Sequence, residues 1–291
     1  MSLKKNRRKF VFSIVGILIK SIFNMKKRTA FIGAILSLTL GQPLLIKTGF
    51  FLSSFAVTFS LAENVKAESA DEYFDIAYEM GNSGDYEGAI KTYSKVIELE
   101  PNDYLSYMNR GWNKSKLGDY YAAISDYNKS IKINSNYGLA YSNRGYSKAE
   151  LEDYKGAISD YSKAIEIDPK NSIPYLNRGL SHSNLGDEYA AISDYNKAIA
   201  LDSQYLKAYY NRAWSKKEIG DIQGSIADYT KVIDLNPRYY QAYVNRGIIR
   251  SDLGDKRAAC EDYKKSISLG DTETSNWLKK DSASWCREME F

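Results

Sequence analysis

Apolar and polar positions along residues 70–273 follow one pattern that recurs every 34 residues. Each unit has two stretches with apolar residues at i, i+3 and i+4, the spacing of an amphipathic helix. Between them, at positions 14–17 of the unit, comes a short turn such as Leu117-Gly118-Asp119-Tyr120 or Leu253-Gly254-Asp255-Lys256. Glycine accepts the backbone conformation that ends a helix, and Asp caps the helix that follows. Pro101, Pro169 and Pro237 stop the second helix at position 32, where repeats two, four and six carry Ser135, Ser203 and Asp271. The pattern predicts an all-α chain of six helix–turn–helix units at 70–103, 104–137, 138–171, 172–205, 206–239 and 240–273.

The same alignment sorts residues into columns. Position 4 is Tyr in every unit (Tyr73, Tyr107, Tyr141, Tyr175, Tyr209 and Tyr243), and so is position 24 (Tyr93 through Tyr263). The two columns hold 12 of the 25 tyrosines, so the aromatic excess reads mostly as core packing. Positions 8 and 20 are small, which fits two helices crossing closely. Five units carry Arg at position 7 (Arg110, Arg144, Arg178, Arg212, Arg246) together with Asp at position 23 (Asp126, Asp160, Asp194, Asp228, Asp262). Repeat one loses both at once, having Ile76 and Thr92, and this paired loss predicts an ion pair between the two helices of a unit.

Small residues at 8 and 20, aromatics at 4 and 24, a mostly small position 27 and intermittent proline at 32 resemble the tetratricopeptide repeat, over residues 70–273. The departures are Arg at position 7, the missing prolines, and Leu151-Glu152-Asp153-Tyr154 in repeat three, which lacks the turn glycine. The resemblance implies an α-α superhelix of antiparallel helix pairs, right-handed, with a concave groove. Trp277 falls at position 4 of a would-be seventh unit, so 274–291 reads as a capping helix over the last repeat.

In that family, position 6 faces the groove, and here it is Asn109, Asn143, Asn177, Asn211 and Asn245, with Asp75 in repeat one. Asn is a poor helix residue, and its amide matches the donor and acceptor of an extended peptide backbone. The column resembles the asparagine ladder in the repeat superhelix of O-linked N-acetylglucosamine transferases, where it holds peptide main chain. The alternative is amides bonded to neighbouring helices or water. Position 9 (Tyr78, Trp112, Tyr146, Leu180, Trp214, Ile248) and position 5 (Phe74, Met108, Ser142, Leu176, Tyr210, Val244) are expected, on family geometry, to line the same groove, ordinary packing being the alternative. Lysine is scarce in these columns, only Lys207 at position 2, so the carboxylate clamp of chaperone-binding relatives is a poor match.

Composition narrows the function. Residues 1–67 hold eleven Lys and Arg against one acidic residue, while residues 68–291 carry a net charge of −6, which argues against nucleic-acid binding by counterion release. The basic end has the order of an export signal or membrane anchor: Lys4, Lys5, Arg7, Arg8 and Lys9 before the apolar run 10–19, then Lys26, Lys27 and Arg28 before the uncharged stretch 29–46. Met25 is an alternative start, and Ser60-Leu61-Ala62 and Val65-Lys66-Ala67 are candidate cleavage sites. A cleaved signal and a retained anchor both place the repeats in a non-cytoplasmic space such as a periplasm or lumen. Cys260 and Cys286 are read as two separate thiols, with a bridge fixing the cap as the alternative. The only histidine, His182, aligns at position 11 with Lys114, Lys148, Lys216 and Arg250 and reads as one more polar residue of that column. No metal, cofactor, phosphate-loop or catalytic motif is found, and no small-molecule substrate is expected. The expected function is a non-catalytic scaffold that binds an extended peptide segment of a partner protein. A membrane-associated assembly factor working through its outer surface is the second reading, and an enzyme a remote third.

Overall fold

The computed structural model describes residues 69–280 and 283–288. The export or anchor segment expected over 1–67 lies outside the described residues. Twelve helices form six antiparallel pairs: α1 (Ala70–Ser83) with α2 (Tyr86–Leu99), α3 (Tyr104–Lys116) with α4 (Tyr120–Ile133), α5 (Gly138–Glu150) with α6 (Tyr154–Ile167), α7 (Ser172–Asn184) with α8 (Glu188–Leu201), α9 (Leu206–Glu218) with α10 (Ile222–Leu235), and α11 (Tyr240–Asp252) with α12 (Lys256–Ser268). Each second helix packs on the first helices before and after it, and first helices of successive repeats also touch from α1 through α9. The first helices therefore line the inner side of the curve.

The turns form as their residues dictate. Asp85, Asp119, Asp153, Asp187, Asp221 and Asp255 each accept a hydrogen bond from the backbone N–H three residues on, capping the second helix of the pair. The residue before each Asp has positive φ, and in five repeats it is Gly. Repeat three holds Glu152 there at φ 62°, alone among the described non-glycine residues in having positive φ.

The core is a row of tyrosine rings. Position 24 is buried throughout, from Tyr93 at 1% exposure to Tyr263 at 6%. Each ring covers position 8: a Cβ on Gly179 would stand 2.7 Å from Tyr195 Cε1, and one on Gly111 would stand 2.8 Å from Tyr127 Cε1. That contact is the reason position 8 is small.

Position 4 behaves differently from the sequence expectation of core packing. Only Tyr243 is buried and the other five are partly exposed; in repeats two to six the ring lies beneath the guanidinium three residues ahead, which repeat one lacks. The Arg-to-ring distances run from 5.3 Å for Arg212 over Tyr209 to 5.8 Å for Arg178 over Tyr175.

Beyond the sixth pair the cap is two short helices rather than one, α13 (Thr272–Leu278) and α14 (Ser284–Arg287). Trp277 and Trp285 pack edge-on against Tyr263, the last core ring, and so cover the face that a seventh repeat would bury. The expectation of two separate thiols is corrected: Cys260 on α12 and Cys286 on α14 form a disulfide, with Cα atoms 5.3 Å apart. Sequence alone could not bring them together, because the approach depends on how α14 packs against α12.

Candidate functional site on the inner face

Arg at position 7 makes the ion pair expected of it and is engaged inside the fold. Arg144 donates from Nε and Nη2 to Asp160 at 2.8 and 2.5 Å, and the other four pairs repeat this bidentate geometry. Nη1 reaches back to position 25 of the preceding repeat: Ser94, Asn128, Ser162, Asn196 and Thr230 each accept from it. One guanidinium thus joins two helices of its own repeat and ties that repeat to its neighbour. Sequence reading found the ion pair and missed this second link. It also missed that position 11 supplies another cation, with Lys114, Lys148, Lys216 and Arg250 2.8–2.9 Å from the same aspartates. In repeat four His182 takes that place, its Nε2 4.0 Å from Asp194. The signal was present in the sequence as a polar column of basic residues beside the Arg and Asp columns.

The asparagines at position 6 are all partly exposed, and the structure divides them. Asn211 donates to the Lys207 carbonyl of its own helix at 2.9 Å, and Asn245 donates to Tyr210 Oη at 2.8 Å. Asn143 reaches only the Met108 sulfur, at 3.6 Å. Asn109 and Asn177 carry no side-chain hydrogen bond among the described residues, and each lines a cavity on the inner face. The expected ladder is therefore uneven, with two open amides two repeats apart.

Position 9 is the exposed apolar column. Tyr78, Tyr146, Trp214 and Ile248 are 41–51% exposed, and Trp112 is partly so. Leu139 and Ile173 at position 2 are similarly exposed beside them, a contribution that sequence reading passed over. Position 5 lies beneath this face rather than on it, with Met108 reaching a cavity there and Phe74, Tyr210 and Val244 partly exposed. Met108, Ser142 and Leu176 are buried, since position 5 turns toward the second helix of its own pair, as Leu176 does against Ala191 and Tyr195.

Two cavities interrupt the inner face. One, of about 250 Å³, spans repeats one to three and is walled by Tyr78, Trp112, Met108 and Leu139 with the amides of Asn109 and Asn143. The other, of about 350 Å³, lies between repeats three and four and is more polar, with Tyr146, Tyr154, Glu150, Glu152 and Asn177 around it. Burial pushes the Tyr146 phenol up to about 12, and its hydrogen bond with Glu150 adds to the shift, so the ring stays neutral while the carboxylate is held beside it. Tyr120 Oη donates to the same Glu150 at 3.2 Å.

Solved structures with the same architecture are similar to this chain at low identity. MamA is 25% identical, with a TM-score of 0.54 over 57% of this chain and 96% of that one. YrrB, described as a TPR protein with an unusual peptide-binding site, is 21% identical, with a TM-score of 0.55 over 64% and 97%. PilW, a type IV pilus biogenesis factor, is 17% identical, with a TM-score of 0.63 over 75% and 98%. No curated protein sequence gives a significant match. The tetratricopeptide repeat model matches 70–103, 104–137, 174–205, 206–239 and 240–269, and a second TPR repeat model covers 145–186. With matches over well more than half its length, each falling on helix pairs built as above, the chain belongs to the tetratricopeptide repeat family.

Proposed function

We propose that the inner face binds an extended segment of a partner protein, without catalysis. Repeat arrays of this family are typically non-catalytic scaffolds for protein–protein interaction, and the finer reading is ours. The observation that carries it is the open amides of Asn109 and Asn177 set among the exposed rings of Tyr78, Tyr146 and Trp214 and the half-buried ring of Trp112 on one face. Amides can hold main chain and rings can hold side chains, the division of labour seen when extended peptides are recognised. The likeness to YrrB is a likeness of fold and adds no more than that.

The test uses the full chain and peptides selected on it from a phage-displayed random library. Asn109→Ala with Asn177→Ala, and separately Trp112→Ala, should each weaken the selected peptides about tenfold or more while the melting temperature holds. Unchanged affinity in both would sink the groove.

A second reading has one observation of its own. Tyr121 and Tyr189, at position 18 of repeats two and four, are 77% and 74% exposed on second helices, away from the inner face. Under an assembly role through the outer surface, Tyr121→Ala with Tyr189→Ala would abolish association with membrane-protein partners and the groove substitutions would not. We further propose that the repeats reside in a non-cytoplasmic space. The basic and apolar order of residues 1–67 and the Cys260–Cys286 bridge both support this placement. A mature N-terminus sequenced before residue 60 would rule out the cleaved form.

A further inference from the structure

We propose that the cavity between repeats three and four is a subsite for a cationic side chain, lysine or arginine, of the bound segment; this rests on the reading of the inner face as a peptide groove. The chain itself supplies the precedent. In repeats two and five the position-9 ring already carries a cation from its own helix: Lys116 Nζ lies 5.2 Å from the Trp112 ring centre, and Lys217 Nζ lies 5.2 Å from that of Trp214. In repeat three the residues at those two places, positions 12 and 13, are Ala149 and Glu150. The Tyr146 ring has no cation over it among the described residues, and a carboxylate stands where the lysine would be.

Electrostatics points the same way. Every recurrent buried carboxylate in this array, at position 23, meets an arginine, and in four of five cases a second strong cation as well. Glu150 and Glu152 are exposed and have no ion pair among the described residues. Both line the one described cavity that also has tyrosine walls and the open amide of Asn177. A ring face next to a carboxylate attracts an ammonium or guanidinium through two independent terms, the ring quadrupole and the charge. The alternative occupants fare worse: an anion meets two like charges, and an aliphatic side chain covers them from water while offering no opposite charge.

The probes are peptides selected on the full wild-type chain from a phage-displayed random library, resynthesised with each Lys or Arg replaced by Gln. Selected sequences should be enriched in Lys or Arg, and one such replacement should weaken binding roughly five- to twentyfold. On a Glu150→Gln/Glu152→Gln chain the basic and Gln peptides should bind alike. Tyr146→Leu, which keeps the apolar volume but removes the ring and its hydrogen bond to Glu150, should shrink the preference while Tyr120 still donates to Glu150. Basic enrichment that survives the double substitution, or an absence of enrichment on wild type, overturns the subsite and leaves the groove standing. Peptides whose binding ignores both Trp112→Ala and the Asn109/Asn177 substitutions lie outside the groove and overturn both.

Discussion

Asp160 receives Nε and Nη2 of Arg144 and Nζ of Lys148, yet its own side chain is only 4% exposed. Removing the acceptor strands two cations beside a buried wall, which costs far more than losing a surface pair. Asp160→Ala should therefore destabilise the array by about 3–5 kcal/mol, read as a lowered midpoint in denaturant. Peptide binding by the remaining folded protein should persist, since neither Arg144 nor Asp160 lines the cavities. Glu152 presents the opposite case. A residue with a Cβ at φ 62° pays a conformational penalty that glycine escapes in the five other repeats. Glu152→Gly should stabilise the protein by about 0.5–1 kcal/mol in the same assay, and on the subsite proposed above it should also weaken basic peptides. Stability gained by a substitution that costs binding is a common signature of residues kept for function. The Arg and Asp columns were legible in sequence because they vanish together in repeat one; the position of Glu152 was legible too, but its strain is a backbone angle and needed the structure.

At the scale of elements, the pairs and turns follow from local chemistry, whereas the cap does not. Asp at position 16, with Gly before it in five of the six repeats, sets each turn whatever surrounds it, so helix–turn–helix could be read unit by unit. The cap has short helices that hold no stable shape alone, and its form depends on Trp277 and Trp285 meeting Tyr263 and on the Cys260–Cys286 bond. Closing the chain between residues 26 apart should contribute about 3.5 kcal/mol. Cys260→Ser with Cys286→Ser, or reductant, should release the cap first: tryptophan emission should shift to the red before helical circular dichroism falls. Acid should act on the same element. Burial pushes the Asp271 carboxyl up, but hydrogen bonds from Thr274, Ser266 and the Glu273 backbone outweigh it, so the folded pKa lies below the ordinary value. The stabilisation is thus complete above the unfolded carboxylate pKa of about 4 and disappears as the pH falls through the lowered folded value. Asp271→Asn should flatten that acid dependence in a pH series of the tryptophan signal.

Across the whole molecule, stability is a sum of repeats and the joints between them. Arg at position 7 belongs to both terms, through Asp in its own repeat and position 25 of the one before. Repeat one has Ile76 and Thr92 instead and keeps only the joint that Arg110 makes to Ser94. Amide hydrogen exchange should accordingly be fastest in α1 and α2 and slowest in the central pairs α5 to α8, and uniform protection along the array would refute this division. Sequence by itself determined the period, the helix pairs, the ion-pair columns and the family, because each is written locally and repeated in register. It marked positions 6 and 9 as a face but presented them as uniform columns. Only the tertiary structure decided which asparagines are already bonded, which rings already carry a lysine, and that position 5 lies beneath the face rather than on it. Those distinctions depend on which neighbour each side chain meets across the gap between repeats, and a one-dimensional period cannot specify that distance.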